Sequence, residues 1–432
     1  MGTENWGLRP TQAKAPAGKI ADCKLPTAKS PIFTGMKSSP TIYLDYHATT
    51  PVDEAVLAAM WPYFREQPGN AASRQHAFGW QAEAAVQAAR EQLAALLDAD
   101  PRELVFTSGA TEACNLALKG VWEAYHQKGR HLVTLRTEHK AVLDACRHLE
   151  RLGAEVTYLE VGPDGRIDLA ELEAAIRPDT VLVAVMWANN ETGVIQPMAE
   201  IGELCACQGV LLFSDATQAV GKIPVSPRDA GLHLLACSAH KVYGPKGVGA
   251  LYLRRSRPRV QLTAQQDGGG HERGMRSGTL NVPGIVGFGR AAELAGACLA
   301  DEALRLGRLR DWLESELLDR LDAVLVNGNR AQRLPTVTNL LFRHLDGEAL
   351  LLRLGARLAV SAGSACTAAT VEPSHVLRAM GRSEAEAFAS LRFSLGRYTT
   401  EAEVERAVEL VAEAVRDQRA QNAPWAVRQA GS

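Results

Sequence analysis

Two periodicities alternate along the chain. Short apolar runs at 104–106, 131–135, 156–161, 181–187, 210–213 and 234–237 read as strands. Between them lie segments whose apolar positions recur every three or four residues, at 78–97, 111–125, 139–149, 169–176 and 198–207. This alternation predicts parallel βαβ units, which bind ligands at the carboxyl ends of their strands. After a glycine-rich loop from Gly268 to Thr279, a long helical segment from Val286 to about Leu318 leads into a different pattern. Strand-like runs at 336–342 and 358–360 flank a helix at 348–354, and a last helix spans 401 to about 418. The expected division is a mobile basic tail at 1–40 and a large α/β domain at 51–299. A smaller α+β domain is expected from 41–50 with 300–420, followed by a frayed end at 421–432. Thr50 before Pro51 carries the signature of a helix start.

Composition narrows the function. The chain has 432 residues, and 46% of them are hydrophobic against 22% charged, ordinary values for a globular protein with a large core. A net charge of −2 gives no electrostatic reason to expect nucleic acid or an anionic membrane as partner. The apolar runs, such as 181–186, are too short to cross a bilayer. Cys205 and Cys207 stand one residue apart with no matching pair, a poor metal site, so no metal is expected. Nothing resembles a secretory signal, and a reducing cytoplasm is the expected compartment. The tail lacks the Arg/Ser pattern of a good transit peptide, although its basic, acid-poor balance keeps that alternative open.

The polar residues at the strand ends carry the chemistry. Lys241 follows the apolar run 234–237 within S-A-H-K, and a lysine desolvated there becomes a nucleophilic amine suited to a Schiff base with an aldehyde coenzyme. Asp215, one βα step earlier, is an acid able to pair with the ring nitrogen of pyridoxal phosphate, and Gln218 can donate to its phenolate oxygen. Ala110 and Thr111 open a helix, where free amide hydrogens hold either a phosphate or only a cap; Ser238 and His240 favour the phosphate. His139 can lie over a planar ring and trade protons, or be structural. Asn190 suits a carboxylate, or a left-handed turn before Gly193. Arg392 faces either solvent from an edge strand or, if inward, a carboxylate partner. Cys366, in a run of small residues, is placed as a reactive thiol rather than a packed one.

These motifs stand in one order: YLDYHATTPVD, FTSGATEACNLALKG, TEHKAVLD, SDATQAVGK, SAHKVYGPKGVGALY, GGGHERGMRSGT, SAGSACTAATVEPSHVLRAMG and LRFSLGRYTT. Together, from Tyr43 to Thr400, they resemble the cysteine desulfurases of the IscS/NifS type, within the class V aminotransferase-like enzymes. The resemblance implies the fold type I architecture of pyridoxal-phosphate enzymes: a large domain with a mixed, mostly parallel sheet and a small domain from both chain ends. It implies that Lys241 carries the coenzyme, Asp215 and Gln218 contact its ring, and His139 stacks on it. Ala110, Thr111, Ser238 and His240 would hold the phosphate, with Thr279 reaching the phosphate of the other subunit in a homodimer. Asn190 and Arg392 would take the substrate carboxylate, and Cys366 would accept sulfur from L-cysteine as a persulfide. The implied route ends at an acceptor protein such as an iron–sulfur scaffold, or in thio-cofactor synthesis or tRNA thiolation. The alternatives are another enzyme of the family, a selenocysteine lyase or an aminotransferase, and a catalytically idle scaffold. The tail before Ile42 and the early stop after Trp425 depart from the family pattern, the latter where members dock a scaffold protein.

Overall fold

The structure is a computed structural model that describes residues 41–256, 259–362 and 372–421. The basic tail, the frayed end and the Cys366 segment expected from the sequence lie outside these residues.

The chain opens with β1 (Ile42–Tyr43), α1 (Glu54–Met60), α2 (Pro62–Arg65) and α3 (Ala77–Leu96). The βα alternation follows: β2 (Leu104–Thr107), α4 (Ala110–Tyr125), β3 (His131–Leu135), α5 (Lys140–Arg151), β4 (Glu155–Leu159) and α6 (Leu169–Ala175). It continues through β5 (Thr180–Ala184), α7 (Met198–Gln208), β6 (Leu211–Asp215), β7 (Leu234–Ser238) and β8 (Gly249–Leu253). The remainder is α8 (Val282–Arg320), β9 (Val324–Val326), β10 (Val337–Phe342), α9 (Gly347–Leu354), β11 (Leu358–Ala359), α10 (His375–Ala379), α11 (Glu384–Phe388), β12 (Ser390–Ser394) and α12 (Glu401–Ala420).

The central sheet has seven strands in the order β2-β8-β7-β6-β5-β3-β4. Only β8 runs against its neighbours. The carboxyl ends of β2, β3, β5, β6 and β7 therefore share one edge. Strands β2, β3, β5, β7 and β8 are buried along their whole length, which is why β2, β3, β5 and β7 read as apolar runs. Helix α3 turns Ala82, Val86, Ala89, Leu93 and Ala94 inward against α8. Gly289 of α8 permits that approach: a Cβ there would lie 2.5 Å from the Ala89 Cα.

A second, antiparallel sheet, β12-β10-β9, packs with α8, α9 and α12 around Leu313, Leu340, Phe342, Leu391, Phe393 and Val411. The β1–β11 pair is parallel, and a bridge joins Asp45 to Ser394 of β12. The amino-terminal strand thus pairs with the carboxyl-terminal elements. Two expectations are corrected. Helix α1 starts at Glu54 with Asp53 as its cap, accepting from Ala55 N, and not at Thr50. The Thr50 hydroxyl instead donates to His240 O and accepts from Tyr243 N, so it braces the loop after β7. Helix α8 begins four residues before the expected start, with Asn281 as its cap.

Candidate active site

The strand ends converge on Lys241. Its Nζ donates to His47 O at 2.5 Å and to Ala48 O at 2.8 Å, so the segment after β1 holds the amine. Before it, His240 places Nδ1 3.2 Å from Thr49 Oγ1. Burial, with Lys241 next, pulls the His240 pKa down to about 4, and the ring is neutral at physiological pH. Ser238, the last residue of β7, is buried.

Across the sheet edge, Gly109 caps α4 with no side-chain hydrogen bond, which leaves the amides of the first turn open. The close approach is made by β8: a Cβ on Gly249 would lie 2.6 Å from the Gly109 Cα. Ala110 and Thr111 stand in this first turn. Ser238 pairs with Gly249 and so stands next to this turn, and open amides of this kind are the donors a phosphate takes.

Asp215 ends β6 almost fully buried, with Oδ1 accepting from Thr217 N at 3.0 Å. Gln218 is buried as well, and its Nε2 donates to His47 O at 3.0 Å. Near Asp215, burial pushes the Cys114 thiol well above the ordinary range, with Asp215 adding to it. Buried Glu138 accepts from Met186 N through Oε1, while Oε2 has no partner; burial raises its pKa well above the carboxylate range.

His139 caps α5. Its Nδ1 accepts from Ala141 N at 3.1 Å, which puts the ring proton on Nε2. It lines a groove of about 1200 Å³ together with Thr111, Asn190, Glu372 and His375. Of the two asparagines, Asn189 is structural, its Oδ1 accepting from Glu191 N and Thr192 N. Asn190 borders the groove instead.

Arg392 points inward. Nη2 donates to Asp45 Oδ1 at 2.7 Å and Nη1 to Asn190 O at 3.0 Å, while buried Nε has no partner. Its ion-pair partner here is therefore Asp45, a residue not singled out from the sequence, and the Nε–H stays unused. Thr279 is exposed on the Gly268–Thr279 loop. That loop is fastened by Glu272, which takes a bidentate pair from buried Arg90 at 2.6 and 2.9 Å and also accepts from Phe106 N.

Cys366 lies outside the described residues, but both ends of its segment are fixed beside the site. Ser361 pairs with Arg392 through two backbone hydrogen bonds. Ser374 donates to Glu191 Oε2 at 2.5 Å. Among the described cysteines, burial holds Cys146, Cys205 and Cys237 up at about 12.

Sequence reasoning missed His47, Asp45, Glu191 and Lys222. His47 and Asp45 lie within the quoted YLDYHATTPVD stretch, whose motif was the available signal. His47 is fully buried: Nδ1 donates to Asn190 O, Nε2 accepts from Thr336 Oγ1, and burial holds its pKa well below the usual value.

The family model described as aminotransferase class-V matches residues 42–407. A cysteine desulfurase IscS from Anaeromyxobacter sp. (strain Fw109-5) is 59% identical over 378 residues, covering 88% of this chain and 93% of the relative. Among solved structures, a NifS-like protein superposes with a TM-score of 0.81 at 37% identity, covering 87% of this chain and 100% of its own. SspA in complex with cysteine gives 0.73 at 37% identity, covering 83% and 100%. The chain belongs to the aminotransferase class-V family, whose coenzyme is pyridoxal phosphate. Its relatives place it, within that family, among the cysteine desulfurases.

Proposed function

We propose that this chain removes sulfur from L-cysteine, leaving L-alanine, and takes the sulfur onto Cys366 as a persulfide. The observation that carries the reading is that both anchors of the Cys366 segment reach the groove: Ser361 bonds to Arg392, which holds the Asn190 carbonyl, and Ser374 bonds to Glu191, which lines it.

Lys241 is the residue that would hold the coenzyme, with Asp215 at its ring nitrogen and Gln218 at its phenolate oxygen. The amides of Ala110 and Thr111, with Ser238 and His240, would hold its phosphate. The coenzyme, when bound, supplies an electron sink for the substrate α-carbon. Asn190 and the unused Nε of Arg392 orient the substrate carboxylate. The Lys241 amine removes the Cα proton, and His139, with its proton on Nε2, serves the substrate thiol. The Cys366 thiolate then attacks the substrate sulfur: an S–S bond forms, the C–S bond breaks, and its electrons pass to the carbon skeleton, which is protonated to alanine.

A homodimer agrees with exposed Trp61, Phe64, Phe78 and Trp80 on α1–α3 and with the outward position of Thr279. In such a dimer Thr279 would reach the phosphate held by the other subunit. A protein acceptor, such as an iron–sulfur scaffold, would collect the sulfur. Cys114, Cys146, Cys205, Cys207 and Cys237 are free thiols, which supports a reducing cytoplasm.

Turnover of L-cysteine by the parent protein and by Cys366→Ser tests the reading. The parent should release alanine and carry a persulfide on Cys366, and the serine variant should release little alanine. Full alanine release by Cys366→Ser would overturn it.

A further inference from the structure

Lys222 closes the SDATQAVGK motif and has no part in the scheme above. The chain turns at Gly221, which takes a φ of 73° and where a Cβ would lie 2.6 Å from Val242 Cγ1. That turn folds Lys222 back onto the residue four before it. Its Nζ donates to Gln218 Oε1 at 2.8 Å and to Gln218 O at 3.2 Å. The residue is half-buried, with its amine facing inward onto buried Gln218.

The surroundings make this an unfavourable place for a lysine. Burial lowers its pKa well below the ordinary value, and the Lys241 and Arg392 cations push the same way. Glu302 of α8, which borders the same small cavity, is engaged by the Arg397 guanidinium. An amine in such a setting costs stability, so its position calls for a role other than packing.

The hydrogen bonds supply that role. Gln218 Nε2 faces His47 O, which can only accept, so Oε1 lies on the Lys222 side. His47 O also receives Lys241 Nζ. One amide and one carbonyl thus connect the two amines. We propose that Lys222 is a positioning residue: it pins Gln218 Oε1 and so keeps the second N–H of that amide directed at the phenolate oxygen of the bound coenzyme.

The inference rests on the coenzyme lying against Asp215 and Gln218, and the experiment separates the two claims. The holoenzyme is titrated with pH, and the midpoint of the change in its visible absorption band is read for the parent, Lys222→Met, Gln218→Leu and the double variant. With the amide unpinned, the phenolate loses a donor, and the proton shared between that oxygen and the Lys241 nitrogen is held more tightly. The midpoint in Lys222→Met should rise by roughly one pH unit, the scale of one lost hydrogen bond. Adding Lys222→Met to Gln218→Leu should move it no further. An unmoved midpoint in Lys222→Met alongside a lower melting temperature makes the lysine merely structural and overturns the proposal, as do two shifts that simply add. If Lys222→Met yields no folded holoenzyme, Lys222→Gln carries the test. It keeps an N–H for Gln218 Oε1, so a midpoint near the parent's supports the proposal and a rise of about one unit refutes it. A parent protein with no visible band would instead sink the coenzyme placement itself.

Discussion

Glu191→Gln is a perturbation whose magnitude follows from the structure. Glu191 is buried beside the groove, its Oε2 accepts from Ser374, and its backbone follows Asn190. Burial raises its pKa from the ordinary 4.5 to about 7, with Ser374, Arg392 and Lys140 pulling the other way. Between those two values the folded chain holds a proton that the unfolded chain has released. A raised carboxyl pKa therefore contributes stability that is full below 4.5 and is lost as pH rises through 7. The slope is about 1.4 kcal/mol per pH unit, and over this window the loss sums to about 3 kcal/mol. Glutamine has no proton to lose, so the stability of Glu191→Gln relative to the parent should climb by that amount from pH 4.5 to 7 and then level off. Urea unfolding of both proteins at several pH values across this range reads the difference. A difference independent of pH would refute the reasoning, because it would mean that Glu191 ionises alike in the folded and unfolded chain.

Two further substitutions test the frame of the site. Gly249→Ala drives a Cβ into the Gly109 backbone; it should cost about 1–3 kcal/mol and weaken coenzyme binding, read by titration of the coenzyme-free protein. Unchanged affinity would remove β8 from the account of the phosphate cradle. Arg90→Met strands the Glu272 carboxylate in the interior and should cost about 3–5 kcal/mol in urea unfolding, whereas a loss under 1 kcal/mol would contradict the buried pair.

The strand ends that carry the candidate site were legible in the sequence because parallel strands present one edge. Lys241, Asp215, Ala110 and His139 each follow an apolar run, and the fold brings those run ends together. What the sequence hid were contacts between distant segments. Arg392 reads as a cation awaiting a carboxylate, and only the fold reveals Asp45, 347 residues away, as the group it holds. Thr50 carries a good local cap signature, but its hydroxyl serves His240 and Tyr243 instead. Lys222 carries no local signal of its own, and only the turn at Gly221 folds it onto Gln218. Strand β8 and the short helices α10 and α11 were missed as well. Helices of five residues offer too few turns for a periodicity to show.

The account depends on which amine bears the coenzyme, since Lys241 and Lys222 bracket the same carbonyl of His47 through different bonds. Borohydride reduction of the holoenzyme followed by peptide mapping decides it. The account predicts the reduced coenzyme on the peptide containing Lys241 and none on that containing Lys222. Its recovery on Lys222, or on no lysine at all, would contradict the assignment of the active site.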